Sequence, residues 1–143
     1  MKVFEFIFNT VLSLTSASNY LDARQMQCMQ MTVYHEARGE SFLGQYLVAK
    51  TIANRVQSPM FPESPCEVVA QRNQFAGYKP IPASSEVPGL TSAKFVSVLA
   101  FSNLKLVSNF EEVKWFTQTG EQSKFHNGLV PNRSEGGHTF YNR

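Results

Sequence analysis

The chain has 143 residues, with thirteen Lys and Arg against eleven Asp and Glu for a net charge of +2. That length corresponds to one domain, able to bury about two-thirds of the surface its unfolded chain exposes. With 43% hydrophobic and 17% charged residues, the composition excludes a disordered chain, a collagen-like repeat and a disulfide-dense miniprotein.

At the start, Lys2 precedes a mostly apolar stretch over 3–14 and the small residues Thr15-Ser16-Ala17-Ser18, the order of a secretory signal peptide. Glu5 and Asn9 interrupt that stretch, and Phe4, Ile7, Phe8, Val11 and Leu12 equally form one face of an N-terminal helix. Both readings stand for 1–18, and 19–143 is read as the domain proper. The apolar run is far short of the roughly 20 residues a membrane span needs, so no membrane span is expected.

From 21 to 37, Leu21, Gln25, Cys28, Met29, Thr32, Val33 and Ala37 recur at helical spacing, with Gln25 the polar exception. Asn19 or Ser18 is the expected cap, and Gly39 is placed to end the helix in a left-handed turn. Leu43, Leu47, Val48, Ile52 and Val56 mark a second helix, closed by Ser58-Pro59. A loop with two prolines follows, then one helical turn over 66–71. Residues 76–90 hold three prolines and two glycines and read as an irregular surface excursion. A third helix is expected over 91–107, with Ala93, Val96, Leu99, Ala100, Leu104 and Val107 inward. Alternation over 113–117 and 139–141 predicts two short strands. The fold class is therefore α+β, mainly helical, with a small β component near the C-terminus.

The second half carries eight basic groups against five acidic ones. They form no basic run and no Arg-aromatic patch, so nucleic acid is not an expected partner. The densest polar cluster is Tyr34-His35-Glu36-Ala37-Arg38-Gly39-Glu40, at the junction of the first two helices. Glu36 follows an apolar stretch, and partial burial there favours the protonated form that general-acid chemistry needs. Glu40 lies one turn further, beyond Gly39, so an ordinary helical spacing between the two acids does not apply. On the residues alone, an ion pair with Arg38 or Arg55 accounts for Glu36 as well as catalysis does. For Glu40 the simplest account is an acid favoured at the start of the next helix.

The stretch around Glu36 lacks the second histidine of the zinc-protease motif H-E-x-x-H. A zinc set drawn from His35, His126, His138 and Glu36 is a minor reading, and neither a metal nor any other cofactor is expected. The sequence holds no Gly-rich phosphate loop and no G-x-S-x-G elbow. Cys28 and Cys66 form no CxxC pair, and composition leaves a disulfide and two buried thiols both open.

The block Cys28-Met29-Gln30-Met31-Thr32-Val33-Tyr34-His35-Glu36-Ala37-Arg38-Gly39-Glu40, with Gly44-Gln45, Val48-Ala49 and Ile52-Ala53-Asn54-Arg55-Val56 after it, resembles the SleB-type cell wall hydrolases. These are the spore cortex-lytic enzymes and their bacterial and phage relatives. The likeness continues in Phe61-Pro62, Cys66-Glu67-Val68-Val69 and Gln74-Phe75. It returns in Phe125-His126-Asn127 and Gly137-His138-Thr139-Phe140-Tyr141. It covers 25–75 and 124–142; residues 76–123 carry no matching motif.

The resemblance implies a lysozyme-like single domain that cleaves peptidoglycan glycan strands between N-acetylmuramic acid and N-acetylglucosamine, with the family's catalytic glutamate at Glu36. It also implies a Cys28–Cys66 disulfide, because relatives outside the spore formers carry cysteines there; such a bridge is worth about 3–4 kcal/mol on the loop-entropy model. Glu36 acting alone would make a lytic transglycosylase, whereas Glu40 as a second acid would make a muramidase-type hydrolase. Gln74 and Tyr141 carry groups suited to sugar N-acetyl and hydroxyl groups. His126 and His138 fall at family positions and are placed with them on the substrate side, a buried hydrogen-bonded histidine being the alternative for each. The spore enzymes' peptidoglycan-anchoring repeat has no counterpart ahead of the block, so the cleft itself is expected to hold substrate. A monomer is expected. A metal-dependent amidase or peptidase and a non-cutting peptidoglycan-binding module are the readings from other classes.

Overall fold

The structure is a computed structural model that describes residues 2–3, 22–71, 75, 89–121 and 128–143. The two readings of 1–18 therefore lie outside the described residues, Lys2 and Val3 apart. So do Gln74, His126 and the excursion over 76–88.

Helix α1 spans Ala23–Ala37, and Asp22 caps it by accepting the Gln25 N–H at 2.9 Å. The cap is thus Asp22 and not Asn19 or Ser18, because an Asx side chain directly ahead of the first turn reaches its free N–H groups. Leu21 lies outside the described residues; of the rest of the expected face, Cys28, Met29, Thr32, Val33 and Ala37 are buried. Gln25, the polar exception on that face, accepts the Cys66 N–H at 2.8 Å. The helix ends where Gly39 suggested, but by a different device. Arg38 stays right-handed (φ −59°, ψ −25°), Gly39 has no positive φ, and the Glu40 N–H closes a turn on Ala37 O at 2.9 Å.

Helix α2 spans Phe42–Val56, capped by Ser41 Oγ on the Gly44 N–H at 3.1 Å. Nearly every residue from Gly44 to Val56 is buried, the mark of a central helix packed on all sides. Helix α3 is the short turn Pro65–Val69, with proline in its first turn, where the missing N–H has no partner to lose. The Cys28–Cys66 disulfide joins it to α1 across a Cα–Cα distance of 5.2 Å.

Helix α4 spans Leu90–Phe101, entered through Gly89 at φ 85°. It stops six residues before the expected end at Val107, because Ser102 turns extended (ψ 168°). Its hydroxyl bonds Leu99 O at 2.7 Å and receives the Leu104 N–H at 3.2 Å. A serine side chain competing for backbone partners in this way terminates a helix. Leu104, expected inward, is 60% exposed as a result. Lys50 Nζ adds a cap on the last turn of α4 through Ala100 O at 3.2 Å.

Among the described residues three antiparallel strands follow: β1 Trp115–Gln118, β2 Val130–Glu135 and β3 His138–Asn142, in the order β1-β3-β2. The alternation at 113–117 and 139–141 located β1 and β3 to within two residues. Strand β2 was not anticipated; it is an edge strand with Pro131 inside it, a register irregularity between Pro131 and Arg133, and no clean inside-outside alternation. The core is one cluster built from all the helices, and Phe110, Val113 and Phe140 extend it to the sheet. Among the described residues no helix is long and apolar enough to cross a membrane. The architecture is the mainly helical α+β domain expected, about half helix with one small sheet.

Candidate active site

Glu36 sits in the last turn of α1, half-buried. The turn is stiffened on its outer side by a stack: Tyr34 and His35 meet edge to face at 5.2 Å, and the Arg38 guanidinium lies over the Tyr34 ring at 5.4 Å. Behind the turn, Gln45 is buried and donates to Glu40 O at 3.1 Å, while its carbonyl accepts Ser92 Oγ at 2.8 Å. Ser92 in turn bonds Gly89 O at 3.1 Å. One buried amide therefore ties the α1–α2 turn to the head of α4, and the Gly44-Gln45 pair has a physical purpose. Gly44 leaves room beside it, since a Cβ there would sit tightly, 3.0 Å from Glu40 Cβ.

The Glu40 carboxylate turns away from the helix end and onto the sheet. The Gly137 N–H donates to both of its oxygens, at 3.0 and 3.1 Å, and His138 Nδ1 lies 3.7 Å from Oε1. His138 is 5% exposed, with its ring edge-on to Phe116 at 5.2 Å. The structure thus brings together Glu40 and His138, which are 98 positions apart, at the wall beside the helix that carries Glu36.

Tyr141 stands on the other face of β3, because successive strand residues point to opposite sides. It is half-buried there, directly opposite Trp115 in the register. Trp115 packs edge-on against Phe61 at 6.1 Å. Phe75 packs on Phe116 at 5.9 Å, so both Trp115 and Phe75 contribute to packing. Among the described residues no set of three His, Cys, Asp or Glu side chains converges as a metal site.

Arg55 is 2% exposed. Its Nε donates to Lys114 O at 2.6 Å, and its guanidinium lies between the rings of Phe61 and Phe75, at 5.0 and 5.2 Å. Burial pulls its pKa down to about 10, which still leaves it cationic at neutral pH. The neighbouring Asn54 Nδ2 bonds Phe110 O at 2.8 Å and Val113 O at 2.9 Å. The Asn54-Arg55 pair therefore stitches α2 to the chain leading into β1. The sequence offers Arg38 or Arg55 as an ion-pair partner for Glu36 and carries no sign of this stitch.

A sequence model described as Cell Wall Hydrolase matches residues 39–141. The chain belongs to that cell wall hydrolase family. The matched range takes in Glu40, His138 and Tyr141 and begins just after the helix that carries Glu36. Among cell wall hydrolase relatives, the spore cortex-lytic enzyme of Halalkalibacterium halodurans is 48% identical over 44 residues, 31% of this chain and 13% of the relative. The chain thus spans a small part of that curated relative's length.

Solved structures extend the likeness to the fold. The catalytic domain of the Bacillus cereus SleB protein matches with a TM-score of 0.68 at 25% identity, over 86% of this chain and 93% of that one. The catalytic domain of the germination-specific lytic transglycosylase SleB from Bacillus anthracis matches with a TM-score of 0.67 at 25% identity, over 85% and 96%. The fold is accordingly the lysozyme-like one.

Proposed function

We propose that this enzyme cleaves peptidoglycan glycan strands between N-acetylmuramic acid and N-acetylglucosamine as a lytic transglycosylase, with Glu36 as its single acid and base. The reading is carried by the half-buried Glu36 at the end of α1, in a chain that shares its fold with the catalytic domain of a lytic transglycosylase. Glu36 gives its proton to the glycosidic oxygen of the departing N-acetylglucosamine as the bond to muramoyl C1 breaks. The resulting Glu36 carboxylate then takes the proton of the muramoyl C6 hydroxyl, and that oxygen bonds C1. The product is a 1,6-anhydro end; no water enters the reaction and no cofactor is required.

Two features favour this route over hydrolysis with two carboxylates. Hydrolysis needs a second acid free to act as nucleophile or base, and both oxygens of Glu40 accept the Gly137 N–H. The relative named for its chemistry is itself a transglycosylase. Tyr141, Gln74, His126 and His138 remain proposed substrate-side residues. The site of action is proposed to be outside the cytoplasm, where peptidoglycan lies and where a disulfide such as Cys28–Cys66 persists. A segment over 1–18 acting as an export signal fits that placement.

The test is Glu36→Gln, which preserves shape and removes the transferable proton. It is expected to keep the wild-type circular dichroism and melting temperature and to lose at least about 10³-fold in release of soluble fragments from purified peptidoglycan. Undiminished lytic activity in that variant would end the proposal.

A further inference from the structure

The Glu40 carboxylate, the β2–β3 turn and His138 form one unit, and the geometry points to Glu40 as a positioning residue. It is the latch that holds the sheet's turn, and through it His138, against the end of α1. This inference rests on the transglycosylase reading only for what the latch serves; the latch itself is a matter of geometry.

Three features of the turn hold it in place beside that carboxylate. The Gly137 N–H points at it and reaches both oxygens, at 3.0 and 3.1 Å; an N–H bonded to a charged oxygen is stronger than a neutral pair. Both turn residues also lack the Cβ that would occupy the carboxylate's place. A Cβ on Gly136 would overlap Glu40 Oε2, and one on Gly137 would lie 2.7 Å from Oε1. Gly136 moreover has φ 55°, which strains other residues. Finally, the same residue is held through its other backbone group, where Gly137 O accepts the Thr119 N–H at 2.8 Å just after β1. The turn is thus gripped at its amide by the α1–α2 junction and at its carbonyl by the residue that follows β1.

His138 follows directly. It starts β3, is buried, and is packed edge-on against Phe116, with Nδ1 3.7 Å from Glu40 Oε1. Among the described residues Nδ1 has no hydrogen-bond partner, so the carboxylate is the charge it faces. Glu40 is only four residues beyond Glu36 and joined to α1 by the Glu40 N–H to Ala37 O bond at 2.9 Å. The latch therefore sets the distance between the acid and the wall of the site formed by the sheet. Misplacement of such a wall by about 1 Å costs on the order of 10²-fold in turnover.

The experiment compares Glu40→Gln, Glu40→Ala, Gly137→Ala and the Glu40→Ala/Gly137→Ala double variant on soluble glycan fragments. Gln keeps a carbonyl oxygen for the Gly137 N–H and is expected to hold kcat within about tenfold of wild type. Glu40→Ala and Gly137→Ala are each expected to lose on the order of 10²-fold in kcat with KM little changed. The double variant is expected to be no worse than either single one, since both break the same contact. A Glu40→Gln variant as inactive as Glu36→Gln would make Glu40 a second catalytic acid and overturn the proposal. Full kcat in Glu40→Ala, or multiplied losses in the double variant, would overturn it as well.

The Gly137 amide resonance supplies a readout that needs no turnover. It is expected far downfield in the wild type and shifted upfield in Glu40→Gln. An unchanged resonance refutes the latch. A wild type that makes the shift but cuts no glycan refutes the transglycosylase reading instead.

Discussion

The helical half and the sheet half of this molecule are held together by different forces. Helices α1, α2 and α4 meet through Met29, Val33, Leu47, Val48, Ile52, Ala93 and Val96, all fully buried and apolar. The sheet has three strands and contributes few residues to that cluster, chiefly Phe140 with Phe110 and Val113 ahead of β1. A sheet this small needs other elements to pack against, and here it is also fastened to the helices by directed polar contacts. Asn54 holds the carbonyls of Phe110 and Val113, Arg55 holds that of Lys114, and Glu40 holds the amide of Gly137. The lesson is that one half is specified by area and the other by a few exact contacts. The proposed acid lies on the first half and the proposed wall on the second.

That contrast can be broken at its strongest point by removing the covalent link inside the helical half. Replacing Cys28 and Cys66 together by serine is expected to cost about 3–4 kcal/mol of unfolding free energy, read from denaturant midpoints at unchanged slope. A loss well below 1 kcal/mol would mean that packing alone secures α3 to α1.

The next effect sharpens the comparison from the other half. Asn54→Ala removes a buried donor serving two carbonyls, and is expected to cost about 2–3 kcal/mol. Hydrogen exchange should then rise over 110–118 while the amides of α1 and α2 stay protected. Uniform loosening of the whole chain would contradict the division into two regimes.

The difference also explains what was legible in the sequence. Regions specified by area write a periodicity, so α1 and α2 were readable to within two residues at their starts and ends. Even Gln25, the irregular member of the α1 face, lay on the correct side. Regions specified by single contacts write no pattern. Strand β2 has Pro131 and no alternation, and the end of α4 turns on one hydroxyl, Ser102 Oγ. The role of Glu40 depends on two glycines almost a hundred positions away, which local reading could not join to it. Glu36 became a candidate through the block around it, while its chemistry remains a proposal. The placement of Leu104 gives the smallest effect to check. Expected inward from spacing but 60% exposed, it should tolerate Leu104→Ser within about 0.5 kcal/mol, whereas a core leucine would cost several times that.

The most direct test of the account is mass spectrometry of the fragments that the wild-type enzyme releases from purified peptidoglycan, with Glu36→Gln alongside. The account predicts glycan fragments ending in 1,6-anhydro-muramic acid from the wild type and none from the variant. Reducing-end muramic acid would contradict it, making the reaction a hydrolysis that requires a second carboxylate; cleavage of peptide bonds alone would contradict it more deeply.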